Sequence, residues 1–368
     1  MDHTQRLQSL DALRGFDMFW ITGGAGIFTG LAALTGLPAL EWWSGQLSHV
    51  PWDGFAFLDM VFPLFLYIAG VSFPFSVAKS LQQGVNRKTL YMRIVRRGLI
   101  LVLLGLVYNG LLNFNLENFR YASVLGRIGL AWMFAALIFV HTKKASVRAV
   151  WCGGLLIAYW LLLTFVPAFD FPEAGRFSME GSFTGYVDRL LLPGRLYLEI
   201  HDPEGWLGTV PAISTAMLGM LTGMFLTRRD GLSGLKKTGY MTVAGVVLVA
   251  AGLLWDMIFP INKNLWSSSF VCFAGGLSIL LLSLFYLIID VLRYRKWAFF
   301  FRVIGLNSIT IYMAQRLIKF SHTSGFLFDG VIGRFPETWA EMLHSIAYVA
   351  VCWLFLYFLY KQKIFLKV

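Results

Sequence analysis

The stretch Ser268–Asp290, SSFVCFAGGLSILLLSLFYLIID, runs without a charged residue until its last position. At 1.5 Å of rise per residue it is long enough to cross a hydrocarbon layer of about 30 Å. In that layer a backbone finds partners only within a helix, so the stretch predicts a transmembrane α-helix. Nine further apolar runs of comparable character lie along the chain, at 13–33, 54–78, 98–113, 124–141, 149–167, 209–227, 239–258, 298–318 and 341–360. The third is short and extends back through Tyr91 if its arginines reach to the interface. Composition agrees with this reading. Across 368 residues, 57% are hydrophobic and only 14% charged, where soluble domains carry about 25% charge. Such a chain cannot wrap its apolar residues in a water-soluble surface, which excludes a cytosolic enzyme, a secreted disulfide domain and a disordered protein. The predicted class is an all-α integral membrane protein of about ten transmembrane helices, organised as one domain over 1–368.

The connections alternate in charge. Loops Lys79–Arg97, Lys143–Arg148, Arg228–Lys237 and Arg293–Arg302, the tail Lys361–Lys367, and Arg6 and Arg14 together hold 22 of the 31 Lys and Arg residues. The positive-inside rule places this set, and both termini, in the cytoplasm. The net charge of +11 is thus spread over short loops and forms no continuous basic face, so no nucleic-acid partner is expected. The bilayer is the expected partner. Cys152, Cys272 and Cys352 sit inside apolar runs at no metal-binding spacing and read as small core residues. The first apolar run contains Asp11, Arg14 and Asp17 at its entry, so it does not read as a cleavable signal.

The outer connections collect the unusual residues. His49-Val50-Pro51-Trp52-Asp53-Gly54 opens the second run, with Asp59 further in. An imidazole at a membrane boundary can take a proton from a nucleophile, and Asp53 or Asp59 could orient it. The plainer alternative is an interfacial histidine among headgroups. Asp59 resists that alternative, because a carboxylate in an apolar segment is costly without a partner or a task. Phe259-Pro260-Ile261-Asn262-Lys263-Asn264-Leu265-Trp266 concentrates amide, ammonium and indole groups suited to a sugar, or else forms a loop with an aromatic anchor. Asp202-Pro203-Glu204-Gly205 is either a helix lead-in or a second polar wall, and Arg127 stands at the outer start of the fourth run. His201 near Asp202 and Glu204 lacks the spacing of a helical zinc motif, so no metal site is expected. Asp11, Arg14 and Asp17 form either a self-satisfied ion cluster or a place for a phosphate on Arg14. Gly23-Gly24-Ala25-Gly26 with Gly30 thins the first run for helix packing or for a long ligand, and Gly219 with Gly223 forms a small-xxx-small pair.

Five stretches together resemble the transmembrane acetyltransferase family of heparan-α-glucosaminide N-acetyltransferase. They are Ser9–Gly15, His49–Gly54 with Asp59–Pro63, Val124–Gly129, Asp202–Thr209, and Asn262–Trp266 followed by Asn307-Ser308-Ile309. The resemblance implies an enzyme that takes acetyl-CoA from the cytoplasm and passes its acetyl group to a glucosamine-type amine on the outer side. The family's catalytic histidine maps onto His49. Asp53 and Asp59 are its candidate companions. The cofactor's phosphates would meet Arg14, Arg93, Arg96 or Arg97, because guanidinium forks suit phosphate oxygens. Trp52, Arg127, Glu204, Asn262, Lys263, Asn264 and Trp266 are the candidate acceptor-binding residues. The family's animal members carry Asn where Asp53 stands, and an Asn in the first span near Ile21 and Thr22, so an asparagine contact to the acetyl carbonyl is not expected here. The resemblance also implies a compact, bacterial-type protein of the inner membrane, with the acceptor site facing the periplasm and a homodimer as its assembly. A multi-span transporter or exporter, with the buried ionisable groups lining a path, is the alternative reading. It lacks the internal repeat that many transporters show.

Overall fold

The computed structural model describes residues 7–228 and 230–366. Arg6, Arg229 and Lys367, counted above among the basic connections, lie outside the described residues. The described chain is helical, with one isolated antiparallel bridge between Arg120 and Gly194. In chain order the helices are α1 (Gln8–Phe19), α2 (Ala25–Thr35), α3 (Pro38–Gln46), α4 (Val61–Gln82), α5 (Arg87–Tyr108) and α6 (Val124–His141). There follow α7 (Ala145–Phe165), α8 (Phe183–Leu191), α9 (Thr209–Thr227), α10 (Gly234–Asp256) and α11 (Ser268–Phe285). The last four are α12 (Phe299–Leu306), α13 (Ser308–Leu317), α14 (Phe320–Ile332) and α15 (Ala340–Lys361). Side chains set several of the helix starts: Ser123, Ser233 and Ser267 each accept a hydrogen bond from the amide three residues on, satisfying a donor that has no partner within the helix.

Among the described residues eight helical segments are long and apolar enough to cross a membrane, and the architecture is that of an integral membrane protein. Two of the ten expected runs differ. The third begins earlier, at Arg87, and ends at Tyr108, where Gly110 turns with φ +99°; its first turns carry Arg87, Lys88, Arg93, Arg96 and Arg97. The run at 298–318 is two short helices broken at Asn307. At the break the Asn307 side-chain amide is tied to the segment after α15, donating from Nδ2 to the Ile364 carbonyl at 3.0 Å and accepting the Leu366 N–H at 3.3 Å. The first run is continuous from Gln8 to Thr35 but bends at Thr22 and Gly23, the latter at φ +98°. Here Thr22 Oγ1 donates to the Met18 carbonyl at 2.7 Å, one of the recognised causes of a helix kink.

Glycines bring the central helices together. On α4 and α9, a Cβ at Gly70, Gly219 or Gly223 would collide with backbone of the facing helix, at Ala216, Tyr67 and Val71 respectively. Gly219 and Gly223 are therefore the packing pair expected from their spacing. Gly23, Gly26 and Gly30 serve the same purpose against α15, where added Cβ atoms would meet Tyr348, Ser345 and Met342. All three cysteines are buried and free.

Candidate active site

Four connections meet on one face of the bundle: 47–60, 109–123, 166–208 and 257–267. Their meeting is fixed by hydrogen bonds between loops. Gly54 N donates to the Ile261 carbonyl at 2.9 Å, a turn that needs the positive φ (+109°) that glycine tolerates. Asn262 Nδ2 donates to Asp53 Oδ1 at 2.9 Å, Asn264 Nδ2 to the Pro51 carbonyl at 3.3 Å, and Trp52 Nε1 to the Phe177 carbonyl at 2.8 Å. Beneath them lies a cavity of about 610 Å³. Its mouth is polar, with His49, Asp59, Arg120, Glu204, Lys263 and Asn264. Its depth is apolar, with Ile21, Phe62, Phe65 and Ile128 of the membrane helices.

His49 and Asp59 are paired at this mouth, Nδ1 to Oδ1 at 2.7 Å. Asp59 lies in a 3-10 turn, Phe57–Met60, that leads into α4. The carboxylate is therefore at the head of the helix, where its Oδ2 accepts the Ala56 and Val50 amides at 3.1 and 3.4 Å. Its side chain is 1% exposed, whereas that of His49 is 55% exposed. A buried carboxylate thus holds an accessible imidazole by one nitrogen. With Nδ1–H donating to Asp59, Nε2 is left as the acceptor, the tautomer a general base needs. Lys263 Nζ approaches the same Asp59 oxygen at 3.1 Å and His49 Nδ1 at 3.0 Å.

Across the cavity, Arg120 forks onto Asp202 at 2.8 and 2.6 Å, bonds to Glu204, and lies 4.6 Å over the Tyr197 ring. Burial opposes charge on Arg120, but the two carboxylates keep it protonated well above the usual guanidinium range. Burial likewise works to raise the Asp202 carboxyl, and the Arg120 fork together with the Glu204 and Tyr197 amides holds it below the ordinary carboxylate range. Behind this wall, burial drives His201 down to about 4, so its ring is neutral, with Nε2 3.1 Å from the Asn264 carbonyl. Asp188 is pushed up to about 7 by burial, against the Trp206 amide that donates to it at 2.9 Å and the nearby Arg127.

The expected site residues therefore separate into three groups. His49, Asp59, Glu204, Lys263 and Asn264 line the cavity. Trp52, Asp53, Arg127, Asn262 and Trp266 stand behind it and hold the loops. Arg127 donates to the Gly205 carbonyl at 2.8 Å and lies 5.2 Å over Trp266, which is fully buried and donates to Thr215 at 3.2 Å. Asn262 closes its own turn, accepting the Leu265 amide at 2.8 Å. Arg14, Arg93, Arg96 and Arg97 lie at the opposite, basic face. Arg14 donates to Ser72 at 3.2 Å and Arg97 stacks over Trp132 at 4.3 Å, while Arg93 and Arg96 are exposed. Sequence reasoning passed over Arg120, Tyr197, Tyr108 and Tyr312. Arg120 had a signal, as the only cation of the 109–123 connection on an acid-rich face. Tyr108 and Tyr312, stacked 4.5 Å apart, come from α5 and α13 and had none.

These features define a polytopic integral membrane protein with a histidine–carboxylate site at one end of a cavity. Over 99% of its length the chain is similar to heparan-alpha-glucosaminide N-acetyltransferase of Homo sapiens, at 27% identity, and of Mus musculus, at 26%. This end-to-end likeness supports membership of the chain in that family. The chain spans about 60% of the length of these curated relatives. No family model matches it.

Proposed function

We propose that the protein is a membrane-embedded acetyltransferase that passes an acetyl group from acetyl-CoA to the amine of a glucosamine-type sugar. The observation that carries this reading is the His49–Asp59 pair, 2.7 Å apart, at the polar mouth of a cavity that continues into apolar depth. The likeness to two N-acetyltransferases supports it. The mouth brings two carboxylates, Asp59 and Glu204, to the cavity beside Lys263 and Arg120, a paired polar set that an amine-bearing sugar can meet. The acetyl donor enters from the basic face, where Arg97 keeps a buried Nε without a partner among the described residues. Guanidinium groups there suit its phosphates.

In the reaction the acceptor nitrogen bonds to the thioester carbon, the C–S bond breaks, and the sulfur leaves with the electron pair. His49 Nε2 takes the proton that the nitrogen gives up, and Asp59 stabilises the resulting imidazolium through Nδ1–H. The proton then passes from His49 to solvent or to the departing thiolate. His49→Ala tests the assignment. Transfer to glucosamine, followed by mass spectrometry in detergent, falls on the order of 10²–10⁴-fold, while acetyl-CoA binding persists. Full activity in His49→Ala overturns the site. An acetyl group trapped on His49 in the absence of acceptor overturns direct transfer in favour of a two-step route.

A further inference from the structure

We infer that Lys263 is a positioning residue that acts on His49 through Asp59, and is not a contact for the acceptor; this rests on the acetyltransferase reading above. Three atoms form a closed triangle: Asp59 Oδ1 to His49 Nδ1 at 2.7 Å, Asp59 Oδ1 to Lys263 Nζ at 3.1 Å, and Nζ to Nδ1 at 3.0 Å. A protonated Lys263 has no lone pair to accept from the ring, and Nδ1–H is committed to the carboxylate. Both nitrogens therefore donate to one oxygen. The other oxygen is held by the Ala56 and Val50 amides. Four donors thus fix the Asp59 carboxylate, and Lys263 is the one ammonium among them.

That charge has two effects. It neutralises a carboxylate that is 1% exposed and would otherwise be a buried charge without a cationic partner when His49 is neutral. It also fixes where the shared oxygen lies, and so the direction in which the ring presents Nε2. Lys263 is itself held in place by its neighbours. Asn262 is tied to Asp53, Asn264 to Pro51, and Ile261 to Gly54, so the backbone of the turn 261–264 is fixed where the Lys263 ammonium reaches Asp59. The shortest contact of the ammonium that carries charge complementarity is to the Asp59 carboxylate. Lys263 is only 14% exposed and engaged with the base pair.

Steady-state kinetics of Lys263→Met separate the two roles. For a positioning residue, kcat for acetyl transfer to glucosamine falls on the order of 10- to 100-fold, as expected for a misdirected base, while the acceptor KM stays within about twofold. Transfer to hydroxylamine, an amine nucleophile with no sugar hydroxyls, falls by the same factor, and Lys263→Arg recovers most of the loss. A raised acceptor KM with kcat intact, or a loss seen with glucosamine but not hydroxylamine, makes Lys263 a sugar contact and overturns the inference. Should Lys263→Met fail to fold in detergent, Lys263→Gln, which keeps a donor without the charge, is judged by the same criteria. His49→Ala in the same assay keeps the two ideas apart. If it retains activity, the acetyltransferase site itself is wrong. If it is inactive and Lys263→Met alters only KM, this inference alone falls.

Discussion

Asp188→Asn should change how the stability of the protein depends on pH. Asp188 is buried on α8 and accepts the Trp206 amide at 2.9 Å, beneath the turn that carries Glu204 to the cavity. Burial lifts its carboxyl from 3.8 to about 7 in the folded chain. Because the folded value is the higher one, the folded state binds the proton more tightly. Its contribution is present in full below about pH 4 and is lost as pH rises to about 7, after which the charged form is buried at full cost. At about 1.36 kcal/mol per pH unit the penalty reaches the order of 4 kcal/mol. Asparagine has the same shape, can still accept from Trp206, and does not titrate. In a denaturant series on the detergent-solubilised protein, wild type and Asp188→Asn should therefore lie within about 1 kcal/mol near pH 4. They should separate as pH rises to 8, with the variant the more stable by up to ~4 kcal/mol. An offset that is the same at both pH values would refute the reasoning.

Arg120→Met should cost about 3–5 kcal/mol in the same unfolding measurement, because it strands Asp202 and Glu204 without their counter-ion; adding Asp202→Asn and Glu204→Gln should recover much of it. Gly219→Ala places a Cβ against the Tyr67 backbone and should destabilise by about 1–3 kcal/mol, whereas Gly153→Ala on α7, with open space around it, should not. Cysteines introduced singly in the 168–208 connection and in 231–235 should label from opposite sides of a sealed vesicle; labelling from one side would contradict the alternation of loop charge.

The helices were readable from sequence because lipid and backbone impose a single solution on a long apolar run. The two exceptions have separate causes. Arginine-rich turns hid the start of α5, and Asn307 breaks its segment through bonds to residues 364 and 366, which no local pattern shows. At the site, His49 and Asp59 stood out because ionisable groups are rare in such a chain, and the structure places them together. The finer division among the loop residues was not visible. Asn262 and Trp266 look like sugar ligands in a one-dimensional list, yet Asn262 closes the turn around Lys263 and Asn264 and the Trp266 indole anchors it to Thr215 of α9. Arg120 escaped because its partners lie 82 and 84 positions away.

The seam at Asn307 also bears on the order in which the molecule can be assembled. Until residues 364 and 366 have been synthesised, the Asn307 side chain lacks the two bonds that tie the break between α12 and α13 to the tail. Removal of a few residues beyond Gln362 would therefore act some fifty positions upstream, where Tyr312 of α13 forms part of the cavity wall.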